Sequence, residues 1–108
     1  MDKEYTATAP TREEVGALAG PAVIEFGTSW CGHCQAAQPA IRSAFLQHVG
    51  IRHIKVEDGR GRALGRSFGV KLWPTLIFLR DGKETARLVR PLAAAPIGAA
   101  LAKIINSG

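Results

Sequence analysis

The two cysteines of this chain, Cys31 and Cys34, stand at the junction between a strand pattern and a helix pattern. Residues 22–26 are almost all apolar, which is typical of a strand that is buried on both faces. The residues that follow the cysteines carry apolar side chains at helical spacing. The pair is therefore predicted to lie on the first turn of a helix, directly after a central strand.

A cysteine pair with this spacing suits redox chemistry better than structural support. A disulfide between residues three positions apart closes a ring too small to restrain much of the unfolded chain. The same pair can open and close as a reversible two-electron couple. At a helix N-terminus, free backbone N–H groups and the positive end of the helix dipole stabilise a thiolate. These observations predict thiol–disulfide exchange.

The remaining patterns predict one domain of the α/β class, with a central mixed sheet flanked by helices on both faces. A chain of 108 residues with 46% apolar side chains is long enough for a single core. Predicted strands cover 4–8, 22–26, 51–57, 76–79 and 84–89, the last two joined by a hairpin at Asp81-Gly82. The first predicted helix starts at the capping box of Thr11 and Glu14. The second spans 32–49, with a buried face of Ile41, Phe45, Leu46 and Val49, and the third spans 60–68. The last helix ends the chain and carries an apolar stripe of Ile97, Leu101, Ile104 and Ile105.

The charge balance indicates a solvated surface rather than a nucleic-acid site. The net charge is +5, but apart from Phe68 no aromatic residue is interleaved with the basic ones and no nucleic-acid motif accompanies them. No apolar run approaches the roughly 20 residues of a membrane helix. The N-terminus lacks a basic segment followed by an apolar one. We expect a cytoplasmic monomer that binds neither nucleic acid nor membrane.

Two motifs together point to a known family. The first is Phe26-Gly-Thr-Ser-Trp30-Cys31-Gly-His-Cys34, with Pro39 beyond it, and the second is Trp73-Pro74-Thr75 before an apolar strand. Their order and spacing resemble the thioredoxin superfamily over essentially the whole chain. The Gly32-His33 dipeptide and Glu25 are those of protein disulfide isomerase domains, since typical thioredoxins carry Gly-Pro and Asp at these places.

The resemblance implies the thioredoxin fold and an oxidoreductase that acts on protein disulfides. It implies no cofactor beyond a redox-active Cys31–Cys34 disulfide, and a regenerating reductase such as thioredoxin reductase or glutathione. Cys31 is the predicted nucleophile, because it lies nearer the helix N-terminus and should be the more exposed cysteine. Cys34 is predicted to attack the mixed disulfide and release the reduced partner.

Four further predictions concern the proton and the cysteines' immediate neighbours. In the family, the counterpart of Glu25 lies beneath the second cysteine and transfers its proton, paired with a lysine that Lys55 matches. A carboxyl with a raised pKa would suit that task near neutral pH. His33 is expected to favour a neighbouring thiolate when its imidazole is protonated. Trp30 and Gly32 are expected to modulate the site from either side of Cys31.

The second motif is predicted to form the substrate groove. In the family the bond before Pro74 is cis, and the residue before it presents its backbone to an extended substrate segment. Trp73 replaces a residue that is β-branched in most members, so it either narrows the groove or adds an apolar anchor. Arg90 stands where thioredoxins have a glycine that lines the groove, and it is either a modulator or a surface charge.

The sequence also allows other functions. Cys31, Cys34, His48 and His53 fit a zinc-finger template on paper. A helix over 32–49 would place His48 about 20 Å from Cys34, however, whereas zinc needs all donors within about 2.3 Å. We therefore expect no metal. Three glycines of residues 59–65 have the wrong spacing for a phosphate loop. An oxidase or isomerase, and a redox-silent binding module, stay open as alternatives to a reductase.

Overall fold

A computed structural model describes residues 4–105 of the chain. Its secondary structure alternates between helices and strands in the order α1, β1, α2, β2, α3, β3, β4, α4. The helices are α1 (Arg12–Gly16), α2 (Gly32–Leu46), α3 (Ala63–Ser67) and α4 (Ala94–Ile105), and the strands are β1 (Pro21–Gly27), β2 (Arg52–Glu57), β3 (Thr75–Arg80) and β4 (Lys83–Val89). None of these helices has the length and apolarity needed to cross a membrane.

The four strands form one mixed sheet in the order β2-β1-β3-β4. β1 pairs in parallel with β2 and antiparallel with β3, and β3 pairs antiparallel with β4. β1 is therefore interior, and every residue from Ala22 to Gly27 is buried. The predicted class, a mixed sheet with helices on both faces, is confirmed.

The alternation of side chains along β1 divides the core into two halves. Ala22, Ile24 and Phe26 pack with α1 and α3 on one face of the sheet. Val23 packs with α2 and α4 on the other face. Because side chains two residues apart share a face, Glu25 also points toward α2. This register places an acidic side chain beneath the helix that begins at the cysteines.

The predicted hairpin between β3 and β4 is present. Its two loop residues, Asp81 and Gly82, have φ of 51° and 79°. Both residues of a type I′ turn need positive φ, which explains the Asp-Gly pair. The side chain of Asp81 also accepts a hydrogen bond of 2.8 Å from the backbone N–H of Gly20, so the hairpin is tied to the start of β1.

Several predicted boundaries and buried positions are wrong. The predicted N-terminal strand over 4–8 is reduced to a single bridge between Thr6 and Val56. The second helix ends at Leu46, where the backbone N–H groups of the next residues bond to carbonyls three positions back. Leu46 and Val49 are 76% and 87% exposed rather than buried. The helix predicted over 60–68 spans only 63–67. Ile105 lies on the C-terminal helix as predicted, but it is 40% exposed and so does not belong to the buried stripe.

Candidate active site

The cysteine pair occupies the N-terminus of α2, as the sequence predicts. Cys31 is the N-cap residue, with extended backbone, and its Sγ accepts a hydrogen bond of 3.2 Å from the backbone N–H of Cys34. Both cysteines are free thiols. The exposed fraction is 8% for Cys31 and 1% for Cys34, so the predicted order of exposure is confirmed. The more exposed of the two sulfurs is therefore also the one that accepts a hydrogen bond from a helix N–H.

Cys34 is held as a neutral thiol by its surroundings. Burial, followed by the hydrogen bond and charge of Cys31, raises the pKa of Cys34 to about 12. The sulfur lies over Gly27, where an added methyl carbon would come within 2.6 Å of Sγ. Glycine is needed at this position because the cysteine fills the space that any side chain would occupy. Cys34 must therefore lose a proton inside the protein before it can act as a nucleophile.

Glu25 lies at the centre of a cluster of polar side chains and has no exposed surface. Its Oε1 is 2.8 Å from Nε2 of His53. Its Oε2 accepts a hydrogen bond from the Tyr5 hydroxyl and one of 2.9 Å from Nε2 of Gln38. Lys55 pairs with Glu25 in the sheet register, and its Nζ lies 3.8 Å from Oε2. The predicted pairing of Glu25 with Lys55 is present, but hydrogen bonds from three other side chains are shorter.

The direction of the pKa shift at Glu25 is opposite to our expectation. Burial by itself raises the pKa of Glu25, because it penalises the charged form. The hydrogen bond with His53, the charge of Lys55 and the hydrogen bonds from Tyr5 and Gln38 outweigh burial, and the pKa lies below its ordinary value. Glu25 is therefore a stabilised carboxylate that accepts hydrogen bonds, rather than a carboxylic acid.

Gln38 connects this cluster to the cysteines. Its Nε2 lies 2.9 Å from the backbone oxygen of Cys34 and 3.3 Å from the Tyr5 hydroxyl, and its Oε1 accepts a hydrogen bond of 2.8 Å from Nζ of Lys55. Gln38 is one helical turn after Cys34, so both side chains lie on the same side of α2. The amide thus orients the lysine and the carboxylate with respect to the second cysteine.

The predicted groove residues form a second group. The Trp73–Pro74 bond is cis, as the resemblance implied. Nε of Arg90 donates a hydrogen bond of 2.8 Å to the carbonyl of Trp73, and its backbone N–H donates one of 2.9 Å to the carbonyl of Pro74. Arg90 therefore contacts the loop that carries Trp73 and Pro74. The Trp73 indole donates to Asp58 at 2.8 Å.

Trp30 connects the residues around the cysteine pair with the loop of Trp73 and Pro74. Its ring meets that of Trp73 edge-on, with centroids 5.8 Å apart, and 72% of its surface is exposed. Edge-to-face packing is a favoured arrangement of aromatic rings. Gly32 and His33 follow on the first turn of α2, and both are exposed. The exposed face of the site is therefore apolar on one side of Cys31 and open on the other.

The zinc alternative is not supported by the arrangement of its donors. Within residues 4–105, no three His, Cys, Asp or Glu side chains are grouped so that they could hold a metal ion. Nε2 of His53, one of the four proposed ligands, faces Glu25 instead.

Sequence reasoning missed three members of the polar cluster: Tyr5, Gln38 and His53. Two of them left a signal in the sequence. Gln38 stands four positions after Cys34, and His53 stands two positions before Lys55, so each shares a face with a predicted site residue. Tyr5 left none, because its approach to Glu25 depends on a contact between segments 20 residues apart.

Comparison with known proteins identifies relatives of this chain. A family model described as Thioredoxin matches residues 4–103. The structure of thioredoxin 2 from Pseudomonas aeruginosa PAO1 in its reduced form is 55% identical, covers 100% of both chains and superposes with a TM-score of 0.88. Thioredoxin Asp f 28 of Aspergillus fumigatus is 27% identical over 70 residues, which are 65% of this chain and 65% of that protein.

A second similarity is to the isomerases. The protein disulfide-isomerase of Gallus gallus is 40% identical over 68 residues, which make up 59% of this chain and 13% of that protein. The matched regions therefore span less than two thirds of the length of either of these two curated relatives.

The fold and the dithiol at the head of α2 define a thiol–disulfide exchange domain. The match over residues 4–103 identifies its family: the chain belongs to the thioredoxin family, whose members are thiol–disulfide oxidoreductases. The family recognised from the sequence motifs is confirmed.

Proposed function

We propose that this protein reduces disulfide bonds in other proteins, with Cys31 as the nucleophile. The observation that carries the proposal is the position of Cys31, whose Sγ is the more accessible of the two sulfurs and accepts a hydrogen bond from a helix N–H. A thiolate in that position is stabilised by the N–H group and the helix dipole. The nearest exposed surface carries Trp30, an apolar contact for a protein partner.

The reaction proceeds through two exchanges. The Cys31 thiolate attacks one sulfur of the substrate disulfide, so that a bond between Cys31 and the substrate forms and the first substrate thiolate leaves. Cys34 then attacks Sγ of Cys31, which forms the Cys31–Cys34 disulfide and releases the second thiolate. The substrate gains two electrons and two protons, and the protein loses the same number. No cofactor beyond the dithiol takes part.

Glu25 and Lys55 manage the proton that Cys34 must lose. Glu25 is the buried carboxylate of the cluster, and its pKa, despite the opposing effect of burial, is held low by its hydrogen bonds and by Lys55. Lys55 is 7% exposed and keeps its Nζ within 3.8 Å of that carboxylate, so it offsets the charge when Glu25 is ionised. Glu25 acts as the proton acceptor of the second exchange, with Lys55 as its counter-charge.

The substrate segment lies along Trp73 and Pro74, next to Cys31. The contact between the Trp30 and Trp73 rings supports this placement, because it joins the groove loop to the residue before the nucleophile. The two rings form an apolar anchor for the substrate. Arg90, bonded to the carbonyl of Trp73, positions this loop, and His33 and Gly32 leave the opposite side of Cys31 open.

Reduction of insulin disulfides, followed as turbidity with dithiothreitol as electron donor, tests the activity. The wild-type protein accelerates the reaction, and Cys31→Ser abolishes the acceleration. Cys34→Ser accumulates a mixed disulfide that mass spectrometry detects, because Cys34 no longer resolves it. A wild-type protein without activity would instead indicate the redox-silent binding module.

An isomerase or oxidase is the second candidate, favoured by the Gly32-His33 dipeptide and by the 40% identity to an isomerase region. The equilibrium with glutathione separates the two functions. A reductase has a potential near about −270 mV, whereas a value near about −180 mV indicates the isomerase.

A reductase of this kind works in the cytoplasm, where thiols are kept reduced. It is regenerated there by a reductase such as thioredoxin reductase, or by glutathione. Turnover of insulin with each donor in place of dithiothreitol identifies which of them serves, and cell fractionation tests the compartment.

A further inference from the structure

Tyr5 is the one tyrosine of the chain, and it lies outside both motifs from which the site was predicted. The segment that carries it is fastened to the edge of β2. The backbone N–H of Thr6 donates 3.1 Å to the carbonyl of Lys55, and the N–H of Glu57 donates 2.8 Å to the carbonyl of Thr6. Nζ of Lys55 lies over the Tyr5 ring, 4.6 Å from its centroid. The ring is thereby held against the buried cluster.

The hydroxyl of Tyr5 stands between the carboxylate and the second cysteine. It donates a hydrogen bond to Oε2 of Glu25, and on its other side it shares the lining of one cavity with Cys34. An added methyl carbon at Gly27 would come within 2.6 Å of Sγ of Cys34 and within 2.9 Å of the Tyr5 hydroxyl, so both atoms share the space above that glycine. Among residues 4–105, no hydrogen bond joins Glu25 directly to the Cys34 side chain.

We propose that Tyr5 relays the proton of Cys34 to Glu25. The proposal rests on the proposed function, in which Cys34 is the resolving cysteine. The Cys34 thiol gives its proton to the phenol oxygen while the phenol proton passes to Oε2 of Glu25. One S–H bond and one O–H bond break, two O–H bonds form, and the negative charge moves from the carboxylate to Sγ. The new thiolate then attacks Sγ of Cys31.

The phenol is suited to this task because it remains neutral. Burial, the charge of Glu25 and the hydrogen bond with it raise the pKa of Tyr5 far above its ordinary value. A neutral hydroxyl can donate one hydrogen bond and accept others at the same time. The transfer is uphill, since the pKa of Cys34 is raised, mainly by burial, whereas hydrogen bonds and Lys55 lower that of Glu25 against burial. Attack on Cys31 consumes the thiolate and draws the transfer forward.

A cavity beside the relay gives the proton a route to solvent. It has a volume of about 160 Å³ and is lined by Tyr5, Cys34, Gln38 and Lys55. Its outer wall includes Glu4, Ser29 and Gln35, which are exposed. The space is large enough for several water molecules. Glu25 can therefore be returned to its ionised form through the hydroxyl and this cavity after each exchange.

Release of thionitrobenzoate from 5,5′-dithiobis(2-nitrobenzoate) tests the relay, because it separates the two exchanges. Attack by Cys31 releases the first equivalent at a rate proportional to reagent concentration. Attack by Cys34 releases the second at a rate independent of it. Tyr5→Phe keeps the ring and removes the hydroxyl. It is expected to slow the second phase by about tenfold or more and to leave the first phase unchanged.

The control is Thr6→Val, which removes a neighbouring hydroxyl whose partners within residues 4–105 are the carbonyl oxygens of Lys55 and Thr8. It should leave both phases within about twofold of wild type. A second phase unaffected by Tyr5→Phe, or slowed as much by Thr6→Val, overturns the relay. If the wild-type protein shows no fast first phase, the nucleophile assigned to Cys31 is wrong, which is a separate failure.

A measurement on the wild-type chain avoids dependence on the folding of the variant. The relay moves two protons in one step, so the rate of the second phase should vary quadratically with the fraction of D₂O. Transfer of a single proton to water gives a linear plot and overturns the relay. The first phase, in which no such transfer occurs, serves as the internal reference.

Discussion

Nε2 of His53 lies 2.8 Å from Oε1 of Glu25, and the same imidazole ring stacks on Phe45 with centroids 4.1 Å apart. Because an ionised carboxylate can only accept hydrogen bonds, His53 donates from Nε2. The stack holds the ring in that orientation. The carboxylate of Glu25 is thus bonded to His53 at Oε1 and accepts a hydrogen bond from the Tyr5 hydroxyl at Oε2.

This relationship predicts the effect of replacing the histidine. His53→Phe preserves an aromatic ring over Phe45 but removes the donor to a buried charge. We expect the free energy of unfolding to fall by about 2 kcal/mol, the usual worth of a hydrogen bond to a charged group. Urea denaturation measures the change. His53→Gln retains a donor and should lose less, and equal stability of His53→Phe and wild type would contradict the assigned hydrogen bond.

The ionisation of Glu25 predicts how stability depends on pH. Its hydrogen bonds and Lys55, acting against burial, hold the folded-state pKa below the ordinary value of 4.5. The unfolded chain therefore binds the proton more readily, and the contribution of Glu25 is fully present above about pH 5 and is lost as the pH falls through the folded pKa. Glu25→Gln should remove this part of the acid-induced loss. Urea unfolding at a series of acidic pH values measures it, and identical slopes for both proteins would refute it.

The close approach of Cys34 to Gly27 predicts that no side chain is tolerated there. Gly27→Ala places a methyl group within 2.6 Å of Sγ and should destabilise the fold by about 1–3 kcal/mol, the usual cost of overpacking a core. The matched control is Gly16→Ala in α1, where nothing lies within 4 Å of the added carbon. That change should be neutral or stabilising by up to about 1 kcal/mol, since alanine favours helix. Chemical denaturation compares them, and equal effects would contradict the packing.

The backbone of Arg90 predicts an order of stability between two variants. Its φ of 53° lies in the left-handed region, which favours glycine. Both Arg90→Ala and Arg90→Gly lose the hydrogen bond to the carbonyl of Trp73. Arg90→Gly should nevertheless be the more stable of the two by about 0.5–1 kcal/mol, because only alanine keeps the unfavourable conformation. Thermal unfolding of both variants checks the order, and a more stable Arg90→Ala would refute it.

Much of the fold could be predicted because its signals are local. The Asp81-Gly82 turn and the apolar run of β1 depend on residues close in sequence, and both are present as predicted. The prediction failed at element ends, such as Val49, where apolar spacing continues although the helix has already closed. Spacing reports which residues would share a face if the helix continued, and it does not report where the hydrogen bonds stop.

The sequence by itself determined the dithiol, its place at the head of a helix and the acidic residue in the strand before it. These follow from spacing along one stretch of chain. Only the tertiary structure decided what surrounds that acid, because Tyr5 and His53 reach Glu25 from segments 20 and 28 residues away. The charge state of a buried carboxylate is set by the balance between desolvation and its hydrogen-bond donors. Those donors are assembled only when the chain has folded.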